Sequence, residues 1–219
     1  MLFRKFVDNR EEDSFATQMR RRRFQFFLGL LDTVPRPISI LDVGGTANFW
    51  QRMGFVEHDA RITLLNIDPT ALPSAHLRAV IGDATDMRQF PDQVFDVVFS
   101  NSVIEHVGDF EQQRRMANEV QRVGRRYFLQ TPNYYFPIEP HFLFPGFQWL
   151  PRDLRVALIQ HLSLGWVKQI PDKSRAQHRV DTTRLLRKSE LKTLFPRANW
   201  YEEKFLGLTK SFVVYDGWS

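Results

Sequence analysis

Cysteine is absent from this 219-residue chain. That excludes disulfides and thiolate metal sites and fits a cytoplasmic protein. Apolar runs of eighteen or more residues are absent too, so no membrane-spanning helix is expected. The opening MLFRKFVDNREED is broken by charges before an apolar stretch forms, and does not read as a secretory signal. There is no internal repeat and no low-complexity tract. The six histidines show no H-x-x-x-H spacing, so no metal is expected.

What is present suits one ordinary domain with a real core. Hydrophobic residues make up 43% and charged residues 25%, as in a typical globular protein. The formal net charge is +5, with Arg20 to Arg23 consecutive. A basic balance permits nucleic acid, an anionic membrane or an acidic small molecule as partner. A solvated helix face is the simpler reading of the arginine run.

Residues 10–31 read as a helix, with Phe15, Met19, Phe26 and Leu30 near one face and VPRP (34–37) stopping it. Five short apolar runs follow: 38–43, 62–68, 78–83, 95–102 and 126–133. Several are apolar on successive residues, as strands covered on both faces are. A helix over 109–123 with Gly124 as its stop lies between the last two. After Asn133 the texture changes to YYFPIEPHFLFPGFQWLP, too rich in proline to be regular throughout. A helix over 151–162, a polar loop over 165–181 and a helix ending at Pro196 are expected next. Two closing strands around LGLTK can pair as an antiparallel hairpin. The pattern predicts an α/β sandwich.

In an open parallel sheet, ligands bind at the carboxyl ends of the strands. Here each end carries an acid or a small polar group. The first ends at Asp42 before Gly44 and Gly45; the second at Asp68. The third ends at Asp83-Ala84 and the fourth at Ser100-Asn101. Any one of these acids could be a turn former or helix cap; four in series argue for a ligand. The glycines let backbone N–H groups approach it without a Cβ in the way. An acid at the second end can accept from two ribose hydroxyls. Asp83 and the backbone of Ala84 can meet the exocyclic amine of adenine, and Asp42 can sit near an ammonium.

These residues resemble a class I S-adenosylmethionine-dependent methyltransferase, of the broad small-molecule group. ILDVGGT stands for the glycine motif, NIDP for the ribose acid, GDATD for the adenine acid and FDVVFSNSVIEHV for the fourth motif. The resemblance covers about residues 36–219. It implies a Rossmann-like, doubly wound, seven-stranded sheet of order 3-2-1-4-5-7-6, mainly parallel with a C-terminal antiparallel hairpin. Residues 1–35 are then a helical extension, and 134–182 a substrate-side insertion or lid. The family usually shows three glycines; here either Ala47 stands at the third with one residue deleted, or Thr46 replaces the second. The resemblance assigns S-adenosylmethionine to Asp42, Gly44, Gly45, Asp68, Asp83, Ala84, Ser100 and Asn101.

The implied reaction moves a methyl group to an oxygen or nitrogen of a sugar, phenolic or lipid-linked small molecule. The cofactor supplies the electrophile, so the protein positions the acceptor and removes its proton where needed. Three residues are candidates for that work. His106 follows the fourth strand beside Glu105, and is also readable as a structural or cofactor-side contact. His141, with Glu139 as its partner, follows the fifth; the same segment is equally readable as a rigid aromatic cap. The aromatic stretch with Arg152 and Arg155 permits peripheral membrane contact. An RNA methyltransferase or a non-catalytic relative is the alternative, although no nucleic-acid recognition module is visible. A monomer and a homodimer are both compatible.

Overall fold

The computed structural model describes residues 14–55, 60–68 and 77–218. Seven strands form one sheet: β1 (Ile38–Val43), β2 (Ala60–Asn66), β3 (Leu77–Ile81), β4 (Val97–Asn101), β5 (Tyr127–Pro132), β8 (Asn199–Phe205) and β9 (Leu208–Asp216). Their order is β3-β2-β1-β4-β5-β9-β8. Pairs among β1 to β5 are parallel; β9 runs antiparallel to β5 and to β8. With β8 and β9 counted as sixth and seventh, this is the order expected from the motifs. The closing hairpin turns on two residues, tighter than expected, because Leu206 and Gly207 both adopt positive φ and bring Phe205 opposite Leu208.

Successive residues of the central strands feed opposite faces. Leu41, Val98, Leu129 and Val214 join the core beneath α3 (Phe110–Val123) and α6 (Lys188–Leu194). Ile40, Val97, Phe128 and Val213 join the core beneath α1 (Phe15–Leu31) and α2 (Ala47–Arg52). The apolar runs are therefore those of doubly covered strands. At the end of α3, Gly124 is extended rather than left-handed; it is small because a Cβ would lie 2.6 Å from Val98 Cγ2.

The inward face of α1 differs from the expected one. Met19 is buried as expected, but the other anchors are Phe24, Phe27 and Leu31, while Phe26 and Leu30 are half-buried beside them. The expected residues 10–13 of this helix, and the side chain of Phe15, lie outside the described residues. The arginine run is not uniformly solvated either. Arg23 is buried and donates to Glu203 Oε2 at 3.1 Å.

The segment expected as an insertion has a core of its own. Phe142 and Phe147 stack 4.0 Å apart and pack with Val156, Ile159, Val167, Ala176 and Val180. Two short strands, β6 (Ile138–Glu139) and β7 (Phe144–Pro145), and α4 (Arg152–His161) build it. The expected loop over 165–181 is corrected in its second half: α5 spans Lys173–Asp181. Asp172 caps that helix by accepting from the Arg175 N–H at 2.7 Å, and Ala176 and Val180, one turn apart, are its buried residues. Among the described residues no helix is long and apolar enough to cross a membrane.

Candidate active site at the carboxyl edge of the sheet

All five parallel strands point their carboxyl ends to one edge. At the end of β1 the chain turns under itself. The Asp42 carboxylate is buried and accepts from Trp50 Nε1 at 2.7 Å through Oδ2, while Oδ1 has no hydrogen-bond partner. Burial pushes its carboxyl up to about 8, against the opposing pull of the Trp50 hydrogen bond. The two glycines are required by protein atoms as well as by any ligand. Gly44 is left-handed, with φ +72°, and a Cβ there would lie 2.6 Å from Val103 Cγ2. A Cβ on Gly45 would fall 1.6 Å from Asp42 Oδ2. Asn66 Nδ2, at the end of β2, donates to the Gly45 carbonyl at 2.9 Å and ties the turn to the next strand. Thr46 caps the short helix α2, accepting from the Phe49 N–H at 3.4 Å.

The remaining expected residues fall along the same edge. Asp68 is exposed two residues beyond β2. Asp83, beyond β3, is exposed and spends Oδ1 on the backbone N–H and hydroxyl of Thr85, at 2.8 and 2.9 Å. That is the turn-forming role. Ala84 packs on the core. Ser100 is buried and donates to the Val43 carbonyl at 3.4 Å. Asn101 ends β4 with its Oδ1 buried and unpartnered.

The three catalytic candidates come together. His106 closes a short 3-10 turn (Ile104–His106) after β4, and His141 follows β6. Their rings meet edge to face, centroids 4.6 Å apart. Glu139 Oε1 lies 2.6 Å from His141 Nδ1, and Glu139 Oε2 accepts the backbone N–H groups of His141 and Phe142 at 2.7 Å each. Desolvation would lower the His141 pKa, but the hydrogen bond and charge of Glu139 outweigh it and raise it. His106 is pulled down to about 4 by desolvation, with His141 and Arg179 adding to the fall. Its residue surface is nonetheless exposed, and the neighbouring His141 and Arg179 charges favour the neutral ring.

Glu105 was visible in the sequence only as the neighbour of His106. It is fully buried; Oε2 accepts from the Thr131 hydroxyl at 3.0 Å, and Oε1 has no partner. Burial pushes its carboxyl up to about 7, against the attraction of His141. Beside this cluster lies a cavity of about 410 Å³, lined by Glu139, Gln148, Arg155, Thr183, Arg184 and others. Gln148 Oε1, Arg155 Nε and Thr183 Oγ1 are buried there without partners. Sequence reasoning named Arg155 only as a basic residue for membrane contact and missed Gln148 and Thr183, since packing rather than any motif brings the three side chains to one cavity.

Residues 41–127 match the family model described as a methyltransferase domain. Uncharacterised proteins from two strains of Mycobacterium tuberculosis are 37% identical over 67 residues, or 31% of this chain and 22% of theirs. The matched stretch is thus under a quarter of the length of those relatives. A solved structure from Rhodobacter sphaeroides, provisionally named a Zn-dependent alcohol dehydrogenase, superposes with a TM-score of 0.58 at 15% identity, covering 85% of each chain. One from Methanosarcina mazei, described as a SAM-dependent methyltransferase, superposes at 0.51 and 14% identity, covering 85% of this chain and 94% of that one. At such identities the likeness is one of fold. The match over residues 41–127 is to a methyltransferase domain, and the strand order is the one that the motif-bearing strand ends imply.

Proposed function

We propose that this protein transfers the methyl group of S-adenosylmethionine to an oxygen or nitrogen of a small polar molecule held in the cavity beside the strand ends. One observation carries the reading. Of the nine buried side-chain polar atoms without a partner among the described residues, six belong to this region. Asp42 Oδ1, Asn101 Oδ1 and Glu105 Oε1 belong to the sheet edge; Gln148 Oε1, Arg155 Nε and Thr183 Oγ1 line the cavity. Buried polar atoms are ordinarily paired, so unpaired ones along the sheet edge and in the cavity fit polar ligands in both places.

The edge suits the cofactor chemically. Asp42 and Asn101 offer acceptors to an ammonium, and Asp68, exposed just beyond β2, is free to accept from the ribose hydroxyls in this reading. The sulfonium carries the reactive methyl, and the carboxylates along the edge favour a cationic ligand. The chain's own work is to hold the acceptor in line, to exclude water beneath the insertion and to take a proton at His141 or His106 where the acceptor is a hydroxyl. Of the aromatic side chains in this segment, Phe142 and Phe147 are buried and form the core of the insertion, whereas Tyr135 and Trp149 are exposed. Polar acceptors such as sugars fit the cavity better than lipid chains.

The test is calorimetric titration with S-adenosylmethionine and S-adenosylhomocysteine, with NAD as the control. Micromolar binding of the first two, none of NAD, and loss of binding in Asp68→Ala are expected. NAD binding, or cofactor binding untouched in Asp68→Ala, would overturn the assignment.

A further inference from the structure

We propose that Glu105, His106 and His141 bind a divalent transition-metal cation at the carboxyl ends of β4 and β5, with Glu139 orienting His141; its part in turnover rests on the methyl-transfer reading above. One ligand atom from each of the three residues lies within 4.8 Å of the others. Donors sit about 2.0–2.2 Å from zinc, which places them about 3.4 Å apart in a tetrahedron. The cluster is thus within about an ångström or so of a binding arrangement, a distance that side-chain rotation covers.

Geometry around the ligands points the same way. Metal-binding histidines commonly give their second ring nitrogen to a carboxylate or backbone carbonyl, which fixes the tautomer. Glu139 Oε1 takes that place at His141 Nδ1, leaving Nε2 as the ligand atom. Glu139 itself is held by the backbone N–H groups of His141 and Phe142. Glu105 is fixed through Thr131, and its second oxygen is buried with no partner. A fully buried carboxylate oxygen beside two imidazoles is a costly arrangement without a cation. Arg179 also faces the histidines and opposes a cation; the carboxylates of Glu105 and Glu139 counter it.

Imidazole and carboxylate donors suit zinc, cobalt or iron better than magnesium, which prefers oxygen donors throughout. Three protein ligands leave a coordination position open, as in catalytic rather than structural sites. Glu139 lines the cavity, so an oxygen of the acceptor is the ligand that suits that position; with a cation bound, the two imidazoles hold the metal and no longer take the proton, and the metal would lower the pKa of the bound hydroxyl in their place. The histidine spacing conceals this site because 35 residues separate His106 from His141, and the fold of the insertion brings them together.

The test is titration of the chelator-stripped full chain with Co²⁺, followed by its visible absorption bands, and with Zn²⁺ by calorimetry. About one equivalent should bind, with the intense absorption of a four- or five-coordinate site. His106→Ala and His141→Ala should each weaken binding at least 100-fold, and Glu139→Gln should do so 10–100-fold. His161→Ala, at an exposed histidine outside the three-residue cluster, should leave it unchanged. Circular dichroism and thermal melts identify any variant that fails to fold, and His106, the most exposed ligand, is the variant least exposed to that objection. No binding to the wild type, or binding that survives in folded His106→Ala, would overturn the proposal. Neither readout needs S-adenosylmethionine, so the outcome is separable from that of the cofactor titration.

Discussion

Asp42 Oδ2 stands 1.6 Å from where a Cβ on Gly45 would be, so the carboxylate beneath the turn and the missing side chain above it define one another. Gly45→Ala must either expel the carboxylate from its bond to Trp50 or move the turn. We expect a loss of about 2–3 kcal/mol, in the range of overpacked cores, measured by urea denaturation. The relationship is steric, so it is visible in a double-mutant cycle. Gly45→Ala should cost clearly less in an Asp42→Ala background. Equal costs in the two backgrounds would show that the turn, rather than the carboxylate, demands glycine.

The same burial makes Asp42 a source of pH dependence. Its folded-state pKa, about 8, lies above the ordinary 3.8. The folded state therefore binds more protons than the unfolded state between those values. Its contribution is fully present below about pH 4 and is lost as pH rises through about 8. Unfolding free energy should fall by up to about 1.4 kcal/mol per pH unit within that window from this one group. Glu105, raised to about 7 by burial, contributes in the same direction. Asp42→Asn, which keeps an acceptor for Trp50, isolates the first term. The variant should show a flatter decline in urea midpoint between pH 5 and 8, and parallel profiles would contradict a neutral Asp42.

Much of the fold was legible because burial on both faces writes itself into a strand as successive apolar residues. Ile40-Leu41, Val97-Val98 and Phe128-Leu129 each send one side chain to either core. The helix α5 was not legible: only Ala176 and Val180 are buried in it, and a neighbouring segment supplies the surface that they meet. On α1 the apolar residues are too many to name one face, so a consistent spacing could be drawn through the wrong ones. The carboxyl edge of the sheet was legible as a series of strand ends, all of which the parallel strands bring to one side. The cavity was not, since Gln148, Arg155 and Thr183 are brought together only by the packing of the insertion.

Asn101 offers a direct test of the cofactor edge. Its Oδ1 is buried without a partner at the end of β4. If it accepts from the cofactor, Asn101→Ala should weaken S-adenosylmethionine binding by about 5–150-fold, the range of one to three kcal/mol. Removing an unpaired group should leave the free protein no less stable. A stability loss with unchanged affinity, read from thermal melts beside calorimetry, would assign Asn101 to the scaffold instead.

The buried pair between α1 and the closing hairpin makes a prediction about how the N-terminal helix is held. Arg23 and Glu203 are nearly buried, and the Glu203 oxygen that accepts from Arg23 also accepts from the Ser211 hydroxyl. Arg20 and Lys210 lie close enough to feel the same carboxylate: burial lowers both their pKa values and Glu203 opposes the fall. Arg23→Met removes the hydrogen-bonding cation and leaves a buried carboxylate, which should cost about 3–5 kcal/mol. Arg23→Met/Glu203→Leu removes both charges but leaves Arg20 and Lys210 without their shared anion. The double variant should therefore recover only part of the loss, whereas an isolated ion pair would recover nearly all of it. Urea midpoints of the three proteins at high and low salt decide between the two. Full recovery in the double variant would show that Arg20 and Lys210 take no part in fastening α1 to the sheet.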